Sequence, residues 1–255
     1  MKRGSRQVSI GICLLGAVLT PAVHADVLVS GSATVDYHKA AWDSLAGGSS
    51  VSGFEALTLD EVFDQSAANS FTGTQLTSIE QQANPSYSGL VYAMNGSAVE
   101  NLAGRYSKPT DFSFEAGSLT PVTGAIGLGG VSRWTVNPLL GGGKLLFGDF
   151  TLRYDAARVA LGGSGWHLVG NIPPVGVLFD LVNVATSWGP NSISISGDLT
   201  VSYEVANFLF ATPANQGVDV GDFRFTGTTA VPEPSTVALL SVAGFLTWGA
   251  IRRRE

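Results

Sequence analysis

Ser192-Ile193-Ser194-Ile195-Ser196-Gly197-Asp198-Leu199-Thr200-Val201-Ser202-Tyr203-Glu204-Val205 is the stretch that decides the fold. Ile193, Ile195, Gly197, Leu199, Val201, Tyr203 and Val205 alternate with polar neighbours. Strict alternation means a strand with one face in a core and one in water. The run is long for one strand, so a bend is expected at Gly197-Asp198 and the β segment at Ser192 to Phe210.

Working outward, the same signal recurs. Strands are expected at Asp111 to Glu115, Gly124 to Leu128, Val131 to Val136, Lys144 to Tyr154, Trp166 to Asn171, Val177 to Val184 and Asp222 to Gly227. Val175 to Val184 alternates poorly, as a strand buried on both faces would. Towards the N-terminus the pattern is mixed. Val27 to Tyr37 reads as an opening strand, Lys39 to Leu45 as a short helix stopped by Gly47-Gly48, and Val51 to Phe54 as a strand. Leu59, Val62 and Phe63 have helical spacing within Leu57 to Ala67, where Thr58 and Glu61 suit a capping box. Ser66 to Ser88 is polar and turn-rich, a surface excursion. Leu90 to Met94 reads as a strand ending in a turn at Asn95-Gly96. Gly-Asp-Phe occurs at 148–150 and again at 221–223, which chance explains in a chain with 32 glycines. Strands separated by glycine, proline and asparagine turns give a mainly β fold, an antiparallel β-sandwich or jelly roll with a short helix or two near its N-terminal part. Residues 26–108 form the mixed part and 109–230 the regular β part, sharing one core.

Both ends of the chain differ from this middle. Met1-Lys2-Arg3-Gly4-Ser5-Arg6 is basic, Val8 to Leu19 is apolar, and Pro21 to Ala25 ends in small residues. That is a signal peptide over residues 1–25, cut between Ala25 and Asp26. Cys13, the one cysteine, lies within it and no lipid-attachment pattern precedes it. At the other end Val231-Pro232-Glu233-Pro234 precedes an uncharged apolar run at 235–251, then Arg252-Arg253-Arg254. As a helix that run reaches about 26 Å, close to a bilayer core. The arginines would hold its end on the cytoplasmic side. The order of tripeptide, apolar run and basic end resembles the PEP-CTERM sorting signal of exported proteins of Gram-negative bacteria. The resemblance covers 231–255 alone. It implies transit through the general secretion machinery, recognition by a membrane-embedded exosortase, removal of the tail near Val231, Pro232, Glu233 and Pro234, and delivery to the cell surface or extracellular matrix. Such proteins often accompany exopolysaccharide and biofilm. An ordinary C-terminal anchor is the alternative.

Removing both ends would leave residues 26–230, with eight of the 14 bases and 18 of the 20 acids, a net charge of −10. That argues against nucleic acid as a partner and makes acidic polysaccharide a difficult one without a bridging cation. Stability without cysteine must come from burial, which 45% hydrophobic residues can supply.

No catalytic residue, metal site or cofactor site is expected. His38 and His167 lack metal-ligand neighbours at a familiar spacing. Gly162-Gly163-Ser164-Gly165-Trp166 is no nucleophile elbow, and the glycine runs at 127–130 and 141–143 fit neither dinucleotide nor phosphate loops. Asp149, Asp155, Asp180, Asp198 and Glu204 could pair as glycosidase carboxylates, which leave no local signature. Asp219-Val220-Gly221-Asp222 has oxygens for Ca²⁺ but not a dense ligand loop. Trp42, Trp134, Trp166 and Trp188 would make either a core or a sugar-stacking platform. A non-enzymatic exported surface protein is the first expectation; a carbohydrate-binding module, then a secreted hydrolase, are the alternatives.

Overall fold

A computed structural model describes residues 25–48, 56–81, 85–115, 118–136, 143–189 and 191–230. Its strands are β1 (Ala25–Tyr37), β2 (Leu57–Phe63), β3 (Leu90–Met94), β4 (Ser113–Glu115), β5 (Ser118–Thr123), β6 (Ile126–Gly129) and β7 (Val131–Val136). They continue with β8 (Lys144–Gly148), β9 (Thr151–Tyr154), β10 (Trp166–Gly170), β11 (Gly176–Gly189), β12 (Ser192–Val201) and β13 (Asp219–Ala230). The α-helices are α1 (Lys39–Gly47), α2 (Gln65–Ala68), α3 (Gly73–Leu76) and α4 (Tyr203–Phe210).

The protein is mainly β and antiparallel, as expected, but it is not a sandwich. The order β1-β3-β6-β9-β10-β11-β12-β13 returns to β1, so eight strands close into a barrel. The closing seam is the longest-paired in the ring, from Val27↔Ala230 to Tyr37↔Gly221. β4 and β5 extend from the start of β1, beyond the part that pairs with β3. Alternation cannot separate the two architectures, because the inner wall of a barrel and the inner face of a sandwich have the same period. Which strands meet at the edges decides it.

A second sheet, β2-β7-β8, grows out of the barrel. β6 pairs with β9 in the barrel, while β7 and β8, continuing the same two segments, pair outside it. The corners are Gly130 (φ 132°) and Asp149 (φ 46°), joined by the Asp149 N–H donating to the Gly130 carbonyl at 2.8 Å. A Cβ on Gly148 would lie 2.3 Å from that same carbonyl oxygen, so the corner needs glycine there. The strand expected from Lys144 to Tyr154 is therefore two strands in two sheets. Of the Gly-Asp-Phe pair, one marks this corner and the other lies inside β13.

One core cluster runs from Leu28 in β1 to Phe225 in β13. It takes in Trp42, Leu45 and Ala46 of α1 and Leu57, Leu59, Trp134 and Phe147 of the second sheet. The opposite face of that sheet buries Val131 and Leu146 with Phe63, Ala68, Leu76 and Ile172.

Local expectations fare unevenly. α1 starts at Lys39 as read but runs on through Gly47, with Gly48 as its C-cap, and β7 spans Val131–Val136 as read. Leu57–Phe63 is a strand, so Thr58 and Glu61 form no capping box; the box sits at Thr72 and Gln75 of α3. The Ser66 to Ser88 excursion thus holds a buried helix end at Leu76. Asn95 makes no hairpin turn: it is buried, its Nδ2 donating to the Lys108 carbonyl at 2.8 Å. β11 is buried on both faces only at Leu178 to Leu181. β12 continues through Gly197, and its partner β11 bulges instead, at Asn183 (φ 50°). The long alternating run ends at Ser202, whose hydroxyl accepts from the Val205 N–H and caps α4. Tyr203 to Phe210 is therefore helix, not strand; the cap is worth about 1 kcal/mol. The strand expected at Val51 to Phe54 lies outside the described residues.

Candidate functional site

The residues expected to direct processing lie where the barrel begins and after it ends. Ala25 and Asp26 open β1, paired through the backbone with Glu115 and Phe114. Val231, Pro232, Glu233, Pro234, Arg252, Arg253 and Arg254 lie outside the described residues, as does the apolar run 235–251. Among the described residues no helix is long and apolar enough to cross a membrane.

The acidic stretch Asp219 to Asp222, which opens β13, faces a histidine. His38 Nδ1 lies 3.3 Å from Asp219 Oδ1 and His38 Nε2 lies 3.1 Å from Asp222 Oδ2. The imidazole thus engages one oxygen of each of the two carboxylates. Among the described residues no group of three or more histidine, cysteine and acidic side chains is placed to hold a metal ion.

The five carboxylates considered as a catalytic pair are each engaged. Asp149 receives Arg105 in a fork, Nε to Oδ2 at 2.7 Å and Nη2 to Oδ1 at 2.6 Å, with both side chains buried. Arg158 binds Asp180 through Nε and Nη2, and Glu204 through Nη1 at 2.9 Å and Nη2 at 3.0 Å. Asp155 accepts from the Ala157 N–H, and Asp198 from Asn183 Nδ2 at 2.6 Å. Asp180 and Glu204 do meet, but across a guanidinium. Burial is the largest influence on Glu204 and opposes its ionisation, yet the hydrogen bonds and charge of Arg158, with hydrogen bonds from the backbone and Ser202, together hold its pKa below the usual range. A general acid needs the reverse shift.

Sequence reasoning missed the three buried arginines at the centre of these networks. The third, Arg133, donates Nε to Asp60 at 2.7 Å and Nη1 to the carbonyls of Leu76 and Ile79. Its Nη2 lies 2.9 Å from Glu80, a charge contact off the donor axis. In a chain with few bases, arginine inside an apolar strand such as Val131 to Val136 was the available signal, since arginine is seldom fully buried unless paired.

The tryptophans do not form an exposed platform. Trp42, Trp134 and Trp166 are buried, and Trp188 packs against Phe114 with ring centroids 4.5 Å apart. His167 is buried on β10, Nδ1 lying 3.1 Å from the Gly165 carbonyl, opposite Asp180 in register. Burial is the main cause that lowers its pKa. A histidine with a depressed folded pKa binds its proton more readily when unfolded. The stability it contributes is therefore complete above the unfolded value near 6.5 and is lost as pH falls towards the folded value. His167→Gln is expected to flatten the fall in stability below pH 6.5, measured by urea denaturation at several pH values; a slope identical to the parent would refute it.

An apolar groove of about 230 Å³ lies beside α4, lined by Leu146, Ile172, Val177, Val205, Phe208 and Leu209. Phe208 and Val175 stand exposed at its rim. The molecule thus has an apolar concavity, and each of the five carboxylates has at least one hydrogen-bond partner.

No family model matches the chain, and no curated protein matches it. Among solved structures, the C-terminal domain of HtaA from Corynebacterium glutamicum aligns at 16% identity and a TM-score of 0.40, covering 81% of this chain and 99% of that one. A likeness at that level carries neither function nor site across.

Proposed function

We propose that the chain is a non-enzymatic protein of the cell surface or extracellular matrix, exported by residues 1–25 and sorted and processed through 231–255. The observation that carries this reading is the position of the tail. The barrel's closing strand ends at Ala230, and the ordered tripeptide, apolar run and arginines begin at the next residue. β1 starts at Ala25, so cuts after Ala25 and near Pro232 would spare the seam from Val27↔Ala230 onward. The barrel supplies the exposed, binding-competent cargo. Turnover at Asp180 and Glu204 is the weaker reading, because Arg158 joins both carboxylates.

Intact-mass measurement of the protein from surface, matrix and membrane fractions of its host tests the proposal. A species running from Asp26 to about Pro232 is expected outside the inner membrane. A membrane species still ending at Glu255 would make the tail a permanent anchor, and a species starting at Met1 would refute export.

A further inference from the structure

Eight bases lie between residues 26 and 230. Five are in ion pairs: Lys39 with Asp43, Arg105 with Asp149, Arg133 with Asp60, Lys144 with Asp60, and Arg158 with Asp180. Lys108, Arg153 and Arg224 make no ion pair among the described residues. Two of these three, Lys108 and Arg153, line a single cavity of about 400 Å³. It sits on the outer wall of the barrel, where Thr151 and Arg153 of β9 face away from the core residue Leu152. Its size falls in the range of small-molecule sites.

We infer that this cavity binds a small organic anion, a carboxylate carried on a hydroxylated carbon frame. The two cationic side chains would take the carboxylate. Thr151 Oγ1 accepts from Asn171 Nδ2 at 2.7 Å, which leaves the hydroxyl proton free to be donated. Asp111 argues for the rest of the ligand. It lines the same cavity, with Oδ1 accepting from the Ala125 N–H at 2.7 Å. An anion with no proton to donate at neutral pH, such as sulfate, would be repelled by this carboxylate, whereas a ligand hydroxyl beside the bound carboxylate would donate to it.

The wall bearing Lys108 is fixed before any ligand arrives. Asn95 Nδ2 donates to the Lys108 carbonyl, the Thr110 N–H to the Gly96 carbonyl, and the Asp111 N–H to the Ala125 carbonyl. A Cβ on Gly127 would come within 1.9 Å of the Lys108 carbonyl oxygen, so the segment lies directly against the barrel backbone. A preformed wall reduces the ordering cost of binding. The overall negative charge slows the approach of an anion, but local pairing sets its residence. The site does not depend on where the protein is finally placed.

The test is calorimetric titration of the full chain with D-glucuronate, D-glycerate, D-glucose and inorganic sulfate. Glucuronate or glycerate is expected to bind at least about tenfold more tightly than glucose or sulfate. The pair reports whether the frame is a sugar ring or a short hydroxy acid. Lys108→Gln with Arg153→Gln should weaken that binding by about tenfold or more, while Arg224→Gln leaves it unchanged. Asp111→Asn should narrow the preference over sulfate, a change that mere loss of folding would not give. Absence of binding by both hydroxy-carboxylates, equal binding of sulfate, or indifference to the double substitution overturns the inference.

Discussion

Asp149→Ala is expected to lower stability by about 3–5 kcal/mol, the largest effect of any single polar substitution in this protein. Asp149 is fully buried and receives both edges of the Arg105 guanidinium. Arg105 also donates Nη1 to the Ala68 carbonyl. Removing the carboxylate leaves a buried cation facing only backbone carbonyls and the Asn69 amide oxygen, with no counter-charge. The site adds a second cost, because Asp149 holds φ at 46°, and alanine disfavours that region by about 1–2 kcal/mol. Asp149→Asn separates the two. Asparagine tolerates the left-handed corner and keeps an acceptor, so it should lose less than alanine. Adding Arg105→Met to Asp149→Asn should recover part of that loss, since the uncompensated charge then goes too. Urea denaturation of the four chains measures this, and an Asp149→Ala loss below about 1 kcal/mol would show that the fork contributes little.

Trp134→Ala is expected to cost about 3–5 kcal/mol, through cavity formation rather than charge. Trp134 projects from the second sheet into the main core, with ring centroids 5.0 Å from Trp42, 5.2 Å from Tyr37 and 5.8 Å from Tyr87. It joins α1, β1 and the second sheet in one cluster, so the void cannot be filled by the movement of one element. Its Nε1 donates to Ser132 Oγ at 3.3 Å, and the serine would lose that partner too. Trp134→Phe should retain more than half of the stability lost by alanine. A denaturation midpoint within experimental error of the parent for Trp134→Ala would mean that the second sheet is only loosely docked.

The fold was legible in the sequence wherever a strand has one wet face. β13 alternates buried and exposed from Gly221 to Ala230, and such a period survives in the residue order. What was not legible was closure. The same alternation serves a sandwich, and the β1–β13 pairing depends on partners at opposite ends of the chain. The break at Ser202 was hidden for a related reason. Tyr203, Glu204 and Val205 continue the alternation of β12, and only the serine hydroxyl turned onto the Val205 N–H ends it. In the Lys144 to Tyr154 run the alternating apolar residues concealed a positive φ at Asp149, which a glycine-aspartate pair suggests but does not prove. Of the candidate site residues, the acids were found and their partners were not. Arg105 and Arg158 lie 44 and 22 positions from the aspartates they bind, so no local motif connects them.

The seam between β1 and β13 also orders events in time. Ser30 and Thr228 share a hydrogen bond across 198 positions of chain. A polypeptide emerging from its N-terminus therefore carries the first strand with its seam edge unmatched until the last strand follows. Such distant pairing makes for slow folding, and an unmatched edge is open to other chains meanwhile. The barrel can lock only after residue 230 is free, immediately before the tail. Completion of the tail and completion of the fold are thus neighbouring steps, and a nascent chain truncated before Asp219 would remain an open, association-prone sheet.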